Sequence, residues 1–335
     1  MKNITVGIIF GGCSTEHDQS IRATRTLYKN AIKHLKDKYK FKYFYLTEKN
    51  RWATENDSSR FIKGDTSKSP TVDPLRILDF NDIDVIYSTC MGGCGENGNL
   101  AGLADIFNVP IIGCGILPSA LCLDKALCKP IVEDAGIPTV NSIIVNKKDK
   151  VSDILQLIDK KIGYPLFAKP TNLGTCAYAF KANSKDQFVN NWSKNIKEND
   201  RSDLYLIEQF IPNIEVRVFI YEDSKGQLHL NDKYVTTLKE SALIHGGGLF
   251  NHVEQELNKK DREKISQYAI RLFESLKIKD YARIDFFIDQ KTGKIYFNEA
   301  NTQPFISTFN IELMEKDGVQ FHQFLDMMIK KNVHK

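Results

Sequence analysis

The sequence predicts an α/β protein of two or three domains whose N-terminal part is built on a parallel sheet. Three observations carry this. At 335 residues the chain is longer than one hydrophobic core ordinarily fills. Its first third repeats a unit in which a short apolar run ends in a glycine-rich loop and a segment of helical period follows, the pattern of parallel strands joined by crossover helices. Near the other end, residues 281–309 read as two alternating strands around a turn at Gly293.

Residues 4–10 form the first strand, ending in Gly11-Gly12-Cys13-Ser14-Thr15-Glu16-His17, and residues 20–36 have the spacing of an amphipathic helix. The glycine pair permits a tight bend but lacks the full dinucleotide-binding pattern. Residues 41–47 are a second strand, and the polar, Ser/Asp/Lys-rich stretch 52–74 is expected as loop. A third strand over 84–89 leads into Met91-Gly92-Gly93-Cys94-Gly95-Glu96-Asn97-Gly98, a helix over 100–107 and a strand over 111–113. In such a sheet the loops at the strand C-terminal ends do the binding, and Glu16 and Glu96 both lie on them.

A domain boundary is placed near Leu121, before a helix over 123–135 that Gly136-Ile137-Pro138 closes. Residues 164–169 and 178–181 read as a hairpin with a small-residue tip, Asn172-Leu173-Gly174-Thr175-Cys176-Ala177. Such a tip lets backbone N–H groups approach an anion, and Lys169 supplies charge at its foot. The strand over 204–211 carries Glu208 among Leu206, Ile207 and Phe210, where a carboxylate needs a donor; an adenine amino group and a salt bridge across the sheet serve equally well. A strand over 215–221 follows. The glycine-rich stretch 236–252, with Lys239, His245 and Gly246-Gly247-Gly248, fits no period and is expected as a mobile lid. Helices over 259–276 and 312–331 flank the late strand pair.

That pair carries the chemistry. Alternation puts Arg283 with Asp285 on one face and Glu299 with Asn301 on the facing strand, so a hairpin brings all four together. Two carboxylates and an amide oxygen are hard ligands of the kind that hold Mg²⁺ while phosphate oxygens complete the octahedron. A solvated hairpin with a surface ion pair is the plainer alternative. It fits poorly, because the polar residues sit among Ile284, Phe286, Phe287, Ile288, Ile295, Tyr296 and Phe297 and are therefore half buried.

The totals exclude other classes. The 46 basic and 42 acidic residues are interspersed, and a net charge of +4 describes no nucleic-acid stripe and no membrane-binding face. Seven cysteines, an odd number in apolar surroundings, point to reduced thiols in the cytoplasm rather than a disulfide framework. Cys90 with Cys94, or Cys122 with Cys128, lack the second pair that a zinc site needs. The first strand starts too early to leave room for a signal peptide, and no apolar run reaches spanning length.

Together the motifs resemble the ATP-grasp superfamily, and within it the D-alanyl-D-alanine ligase family, over nearly the whole chain. The matching stretches are residues 8–17, Gly95-Glu96-Asn97-Gly98, residues 109–115 through Ser119-Ala120-Leu121-Cys122-Leu123-Asp124-Lys125, Ala168-Lys169-Pro170-Thr171-Asn172-Leu173-Gly174, Ala282-Arg283-Ile284-Asp285 and Asn298-Glu299-Ala300-Asn301-Thr302. The set is specific where any one motif is not. The resemblance implies a three-domain ATP-grasp fold, with an N-terminal parallel-sheet substrate domain (1–120), a central subdomain (121–213) and a C-terminal subdomain with the metal site (214–335). ATP would be clamped between the second and third.

It further implies that Lys125 and Lys169 hold nucleotide phosphates, that Glu208 and the backbone of Gln209, Phe210 and Ile211 read adenine, and that Glu215 meets the ribose. Asp285, Glu299 and Asn301 would ligate two Mg²⁺, with Mn²⁺ an alternative. Glu16 would bind the ammonium of a first amino acid, Arg283 would steady the tetrahedral intermediate, and Thr175 would act from the phosphate loop. The implied reaction is attack of a carboxylate on the γ-phosphate of ATP, giving an acyl phosphate and ADP, after which the amine of a second amino acid attacks the acyl carbon and displaces phosphate; a homodimer is implied as well.

Departures fall mostly on the amino-acid side. Phe305 stands where the family has a glycine that contributes to an oxyanion hole, and Asn310 where it has a serine for the second carboxylate. In the phosphate loop Thr175 and Cys176 replace serines and Tyr178 a glycine, and Met91 replaces a histidine. The leading expectation is a ligase joining D-alanine to D-alanine or a related D-amino acid for peptidoglycan precursors. The same chemistry in another pathway is second, and a catalytically silent ATP-grasp binding protein third.

Overall fold

Residues 4–72, 80, 82–174, 176–231, 234–237, 253–304, 314–315 and 318–333 are described by the structure, a computed structural model. The N-terminal sheet is parallel throughout: β1 (Thr5–Gly11) lies between β2 (Lys40–Leu46) and β3 (Val85–Ser88), and β3 pairs with β4 (Ile111–Ile112). β1 is buried along its whole length, as a central strand covered on both faces must be. Val6, Ile8 and Phe10 face α1 (His17–Leu27), which runs through a π-helical turn at Tyr28–Ile32 into α2 (Lys33–Leu35).

The stretch 52–74 is not all loop. It contains α3 (Glu55–Ile62), started by Thr54, whose hydroxyl accepts from the Asp57 N–H at 3.3 Å and donates to its carboxylate at 3.1 Å. Phe61 and Ile62 fix the helix on the N-terminal core. With apolar residues only in its last turn, the segment shows little helical period, and the cap was the one local signal. On the other face of the sheet, Ile9, Phe44 and Ile86 pack against Leu100 and Ala104 of α4 (Asn99–Ile106).

The helix expected over 123–135 is present over Lys125–Asp134, and a second helix that the sequence did not suggest precedes it. α5 (Ile116–Leu123) ends at Asp124, whose extended backbone breaks the helix and whose carboxylate caps α6 (Lys125–Asp134) by accepting from Ala126 and Leu127 N–H. The central sheet is antiparallel in the order β5 (Ser142–Asn146), β8 (Leu204–Gln209), β6 (Leu166–Pro170), β7 (Phe180–Ala182). α7 (Val151–Lys161) and α8 (Lys185–Glu198) cover one face through Ile154, Ile158, Phe188 and Trp192. Ile207 and Ala168 point into that core, so alternation turns Glu208 and Lys169 to the open face.

The third sheet runs β10 (Leu228–Asn231), β9 (Asn213–Glu222), β13 (Tyr281–Asp289), β14 (Ile295–Asn301), also antiparallel, with β11 (Tyr234–Thr237) and β12 (Val253–Glu256) a separate pair. α9 (Lys259–Ser275) packs on one face, and Cys128 and Val132 of α6 join the same core. The last helix, α10 (Phe321–Val333), follows a turn at Gly318, and Phe324 and Leu325 return it to the core of the N-terminal sheet.

Asp280, fully buried just before β13, ties these parts together. Its carboxylate accepts from Gly113 N–H and from Asn332 Nδ2, both at 2.9 Å, and lies 3.2 Å from Lys331 Nζ. Gln303 donates to the Ser88 carbonyl, joining the end of β14 to the end of β3. Among the described residues no helix is long and apolar enough to cross a membrane.

Candidate active site

Glu16 sits at the head of α1, in the loop leaving β1, and is 5% exposed. Its position is set by its neighbours. Ser14 Oγ accepts from Glu16 N–H at 3.1 Å and donates to the Met91 carbonyl at 2.5 Å, clasping the two glycine loops together. His17 donates from Nδ1 to the Gly12 carbonyl at 2.6 Å, which leaves Nε2 to accept from Tyr45 OH at 2.9 Å. The carboxylate itself faces two glycines. Gly92 has φ +58, and a Cβ there would collide with Glu16 Oε2; a Cβ on Gly174, in the tip of the β6–β7 hairpin, would stand 3.0 Å from the same oxygen. The small-residue tip therefore lies against the Glu16 carboxylate.

Burial and the nearby Glu299 push the Glu16 carboxyl up, against the pull of Arg283 and Lys125. Burial and Glu16 together push Glu96 up to about 8. Acids gathered in this way form a site for a cation.

On the open face of the third sheet the sequence-predicted cluster is assembled. Asp285 pairs with Glu299 and Arg283 with Asn301 across β13 and β14. Arg283 grips Asp285 with Nε and Nη2, each 2.8 Å from a different carboxylate oxygen, the bidentate geometry of an ionised pair, and reaches Glu299 at 3.5 Å. Burial would raise the Glu299 carboxyl, yet Lys125 at 3.7 Å, Arg283 and Lys169 outweigh it and hold it near about 2. Asn301 donates to Glu299 at 3.3 Å. A bulge between Asp285 and Phe286 lets Ile295 and Phe297 face the core while Glu299 and Asn301 face the site. Without the extra residue, Asn298, positions 297 and 299 would share a face.

The donor set fits Mg²⁺ as the chemistry of its oxygens requires: two carboxylates and an amide on adjacent strands, too few to enclose an ion without phosphate oxygens. Among the described residues no three His, Cys, Asp or Glu side chains form a self-sufficient metal cluster.

On the open face of the central sheet Glu208 is buried between two ammonium groups, with Lys129 at 2.6 Å from Oε1 and Lys169 at 2.7 Å from Oε2. The salt bridge across the sheet is thus formed. Lys169 also donates to Asn298 at 3.3 Å, and Lys125 to the Leu173 carbonyl at 3.0 Å, so both lysines face the gap between the two antiparallel sheets. Of the backbone proposed for adenine, the N–H groups of Gln209 and Phe210 are already engaged by Asn141 and Pro165 carbonyls at 2.9 and 3.0 Å, which leaves Ile211 to offer a donor. Glu215 accepts from Arg217 at 3.1 Å, and Arg217 lies 4.0 Å from Asp285. Lys129 and Asp280 escaped the sequence reading because their partners are distant in the chain, and Arg217 because its neighbour Glu215 gives no sign of the nearby Asp285.

Thr175, Phe305, Asn310 and the lid residues Lys239 and His245 lie outside the described residues. All seven cysteines are free thiols, and Cys114, Cys122 and Cys128 are buried in the core under the third sheet.

This geometry agrees with the comparisons. Residues 131–330 match the family description "D-ala D-ala ligase C-terminus" and residues 5–114 "D-ala D-ala ligase N-terminus". The chain belongs to the D-alanine–D-alanine ligase family. The family consists of ATP-dependent carboxylate–amine ligases, and Glu16, Asp285 and Glu299 all fall within the matched residues. A D-alanine–D-alanine ligase of Caldicellulosiruptor bescii is 29% identical over 370 residues, covering 100% of this chain and 96% of the relative. Solved structures show the fold. The VanG D-Ala:D-Ser ligase of Enterococcus faecalis superposes with TM-score 0.81 at 21% identity, covering 98% of this chain and 99% of that one. The D-alanyl-alanine synthetase A of Vibrio cholerae gives 0.82 at 23% identity, with 100% of both chains covered. The D-alanine–D-alanine ligase fold is thus the α/β ATP-grasp fold that the motifs implied.

Proposed function

We propose that this member of the family joins D-alanine to a second D-amino acid, using ATP to form an acyl phosphate, in the making of peptidoglycan precursors. One observation supports this above the rest. An ammonium-binding acid (Glu16, after β1), two phosphate-seeking lysines (Lys125 on α6, Lys169 on β6) and a hard-oxygen set (Asp285, Glu299 and Asn301 on β13 and β14) converge from separate parts of the chain, and Lys125 lies 3.7 Å from Glu299. A protein that only bound nucleotide would need no buried acid for an amino group beside it.

In this reading Glu16 orients the first amino acid through its ammonium, so that its carboxylate meets the γ-phosphate. Lys125 and Lys169 leave their carboxylate and carbonyl partners for phosphate oxygens. Glu208 and the Ile211 N–H meet the adenine, and Glu215 the ribose. Asp285, Glu299 and Asn301 hold Mg²⁺, which when bound offsets charge on the transferring phosphoryl group. Arg283, anchored on Asp285, faces the oxygen that gains charge when the second amine attacks. Gly174 and its loop, lying against Glu16, exclude water from an acyl phosphate that would otherwise hydrolyse. Thr175, Phe305 and Asn310 belong to the same proposal, for the phosphate loop and for the second amino acid.

We place the enzyme in the cytoplasm, consistent with seven free thiols, and as a homodimer, for which the exposed Ile106, Ile116, Leu117 and Leu127 on α4, α5 and α6 offer an apolar face. Phosphate release from ATP with a panel of D- and L-amino acids tests the reaction. Turnover with D-alanine, alone or with a second D-amino acid, is expected. Turnover only with other acids moves the enzyme to another pathway, and nucleotide binding without turnover on any of them refutes the proposal.

A further inference from the structure

One buried charge has no place in that reaction. Lys129 lies one turn beyond Lys125 on α6, is 5% exposed, and donates to Glu208 Oε1 at 2.6 Å and to the Val140 carbonyl at 2.9 Å. A buried ammonium is costly unless its donors are satisfied, and here it is held from two sides by groups of the chain itself. Lys169, on the other oxygen of Glu208, differs: it is shared with Asn298 across the gap between the sheets and can turn to a ligand there. Lys129 is tied back to the β5 side by Val140 and cannot follow.

A carboxylate has room for about four donors, so Glu208 with two lysines keeps lone pairs for a further N–H. Burial would raise its pKa, but Lys169 and Lys129 outweigh burial and hold it down to about 2, so it is an acceptor only. An acceptor-only group at the base site welcomes an exocyclic amino group and repels a carbonyl oxygen.

We propose that Lys129 is a positioning residue for nucleotide selection: it fixes the Glu208 carboxylate as an acceptor aimed at the base, so that the site takes a 6-amino purine and refuses a 6-oxo purine. The inference rests on the reading that the chain uses ATP. Without Lys129, the Glu208 carboxylate would either protonate and donate to a 6-oxo group or collapse onto Lys169, and both outcomes erase the distinction.

The test measures direct binding of ATP and of ITP, by calorimetry on the full chain, in wild type, Lys129→Met and Lys129→Arg, with thermal melting to check the fold. Wild type is expected to prefer ATP by about tenfold or more, the worth of a hydrogen bond to a charged group. Lys129→Met should bring the two affinities close together, and Lys129→Arg should keep most of the preference. A merely structural lysine would weaken both nucleotides alike, so an unchanged ATP-to-ITP ratio in Lys129→Met overturns the proposal. So does a wild type that binds ATP and ITP equally. Should Lys129→Met fail to fold, Lys129→Gln, which keeps a donor for Glu208 but not the charge, carries the test: a reduced preference for ATP is expected, and an unchanged ATP-to-ITP ratio overturns the proposal. A wild type that binds no nucleotide sinks the ligase reading itself and this inference with it.

Discussion

Glu96→Gln should stabilise the ligand-free protein at alkaline pH, by an amount that follows from the cluster it sits in. The Glu96 carboxyl is pushed up to about 8 by burial and by Glu16, from an ordinary value of 4.5. Between those values the unfolded chain has released this proton and the folded chain still holds it. The unfolded state then binds fewer protons, so stability falls as pH rises through the window and levels off above it. Taken alone, the difference amounts to roughly 3 kcal/mol at pH 7. Glu96 feels the charge of Glu16 and is partly exposed, and solvent screening brings the expected figure to about 1–2 kcal/mol. Glutamine keeps the shape and removes the charge. The assay is urea unfolding of both proteins without ligands at a series of pH values from acid to mildly alkaline. The wild type should lose stability across the window while the variant stays nearly flat, the two curves meeting at acid pH. Parallel curves, or a variant less stable than wild type at pH 8, would refute the reasoning that burial and Glu16 destabilise the ionised Glu96. Free D-alanine, whose ammonium offsets both acids, should narrow the gap between the two proteins.

Other residues give sharper outcomes. Glu299→Gln should abolish ATP-dependent turnover while leaving melting behaviour and metal-free nucleotide binding near normal; appreciable turnover would remove Glu299 from the mechanism. Asp280→Asn breaks a fully buried ion pair with Lys331 and should cost about 3 kcal/mol in unfolding experiments, with a loss of turnover because Glu16 and Glu299 sit on the parts that Asp280 joins. Leu117→Arg, on a residue 61% exposed, should convert a dimer to a monomer in light scattering without unfolding it.

Much of the site could be read from residue order because its parts obey local rules. Arg283, Asp285, Glu299 and Asn301 declare themselves by alternation within one hairpin, and Glu16 and Glu96 by standing in loops after apolar strands. Even the bulge is written there, since polar Glu299 and Asn301 fall on the same parity as apolar Ile295 and Phe297, and only an extra residue can send them to opposite faces. Lys129 and Asp280 obey no local rule. On its helix Lys129 has the spacing of an ordinary solvated lysine; what buries it is a strand 79 positions away. Asp280 stands in a turn at φ +64, and its partners come from residues 113, 331 and 332. Helix α3 was missed for the opposite reason. Its pattern is too short to be read against a polar background, and the core that holds Phe61 supplies what its periodicity lacks.

The charge arrangement of the site explains why these residues must be read as a set. Four of the acids proposed for ligands are answered by cations of the chain: Glu208 by Lys169 and Lys129, Asp285 by Arg283, Glu299 by Arg283 and Lys125, Glu215 by Arg217. Buried charges left unpaired would undermine the fold, so the site stays assembled by pairing its own groups until substrates arrive. In the proposed reaction a nucleotide and a divalent ion would bring the charges needed to exchange partners, phosphate for the lysines and metal for the carboxylates. The exchange conserves pairing, and so it can occur in a buried cleft without stranding a charge. Lys129 and Arg283 are the two cations whose geometry argues against exchange, one tied behind Glu208 and one locked bidentately on Asp285. They hold the acids still while the other lysines move.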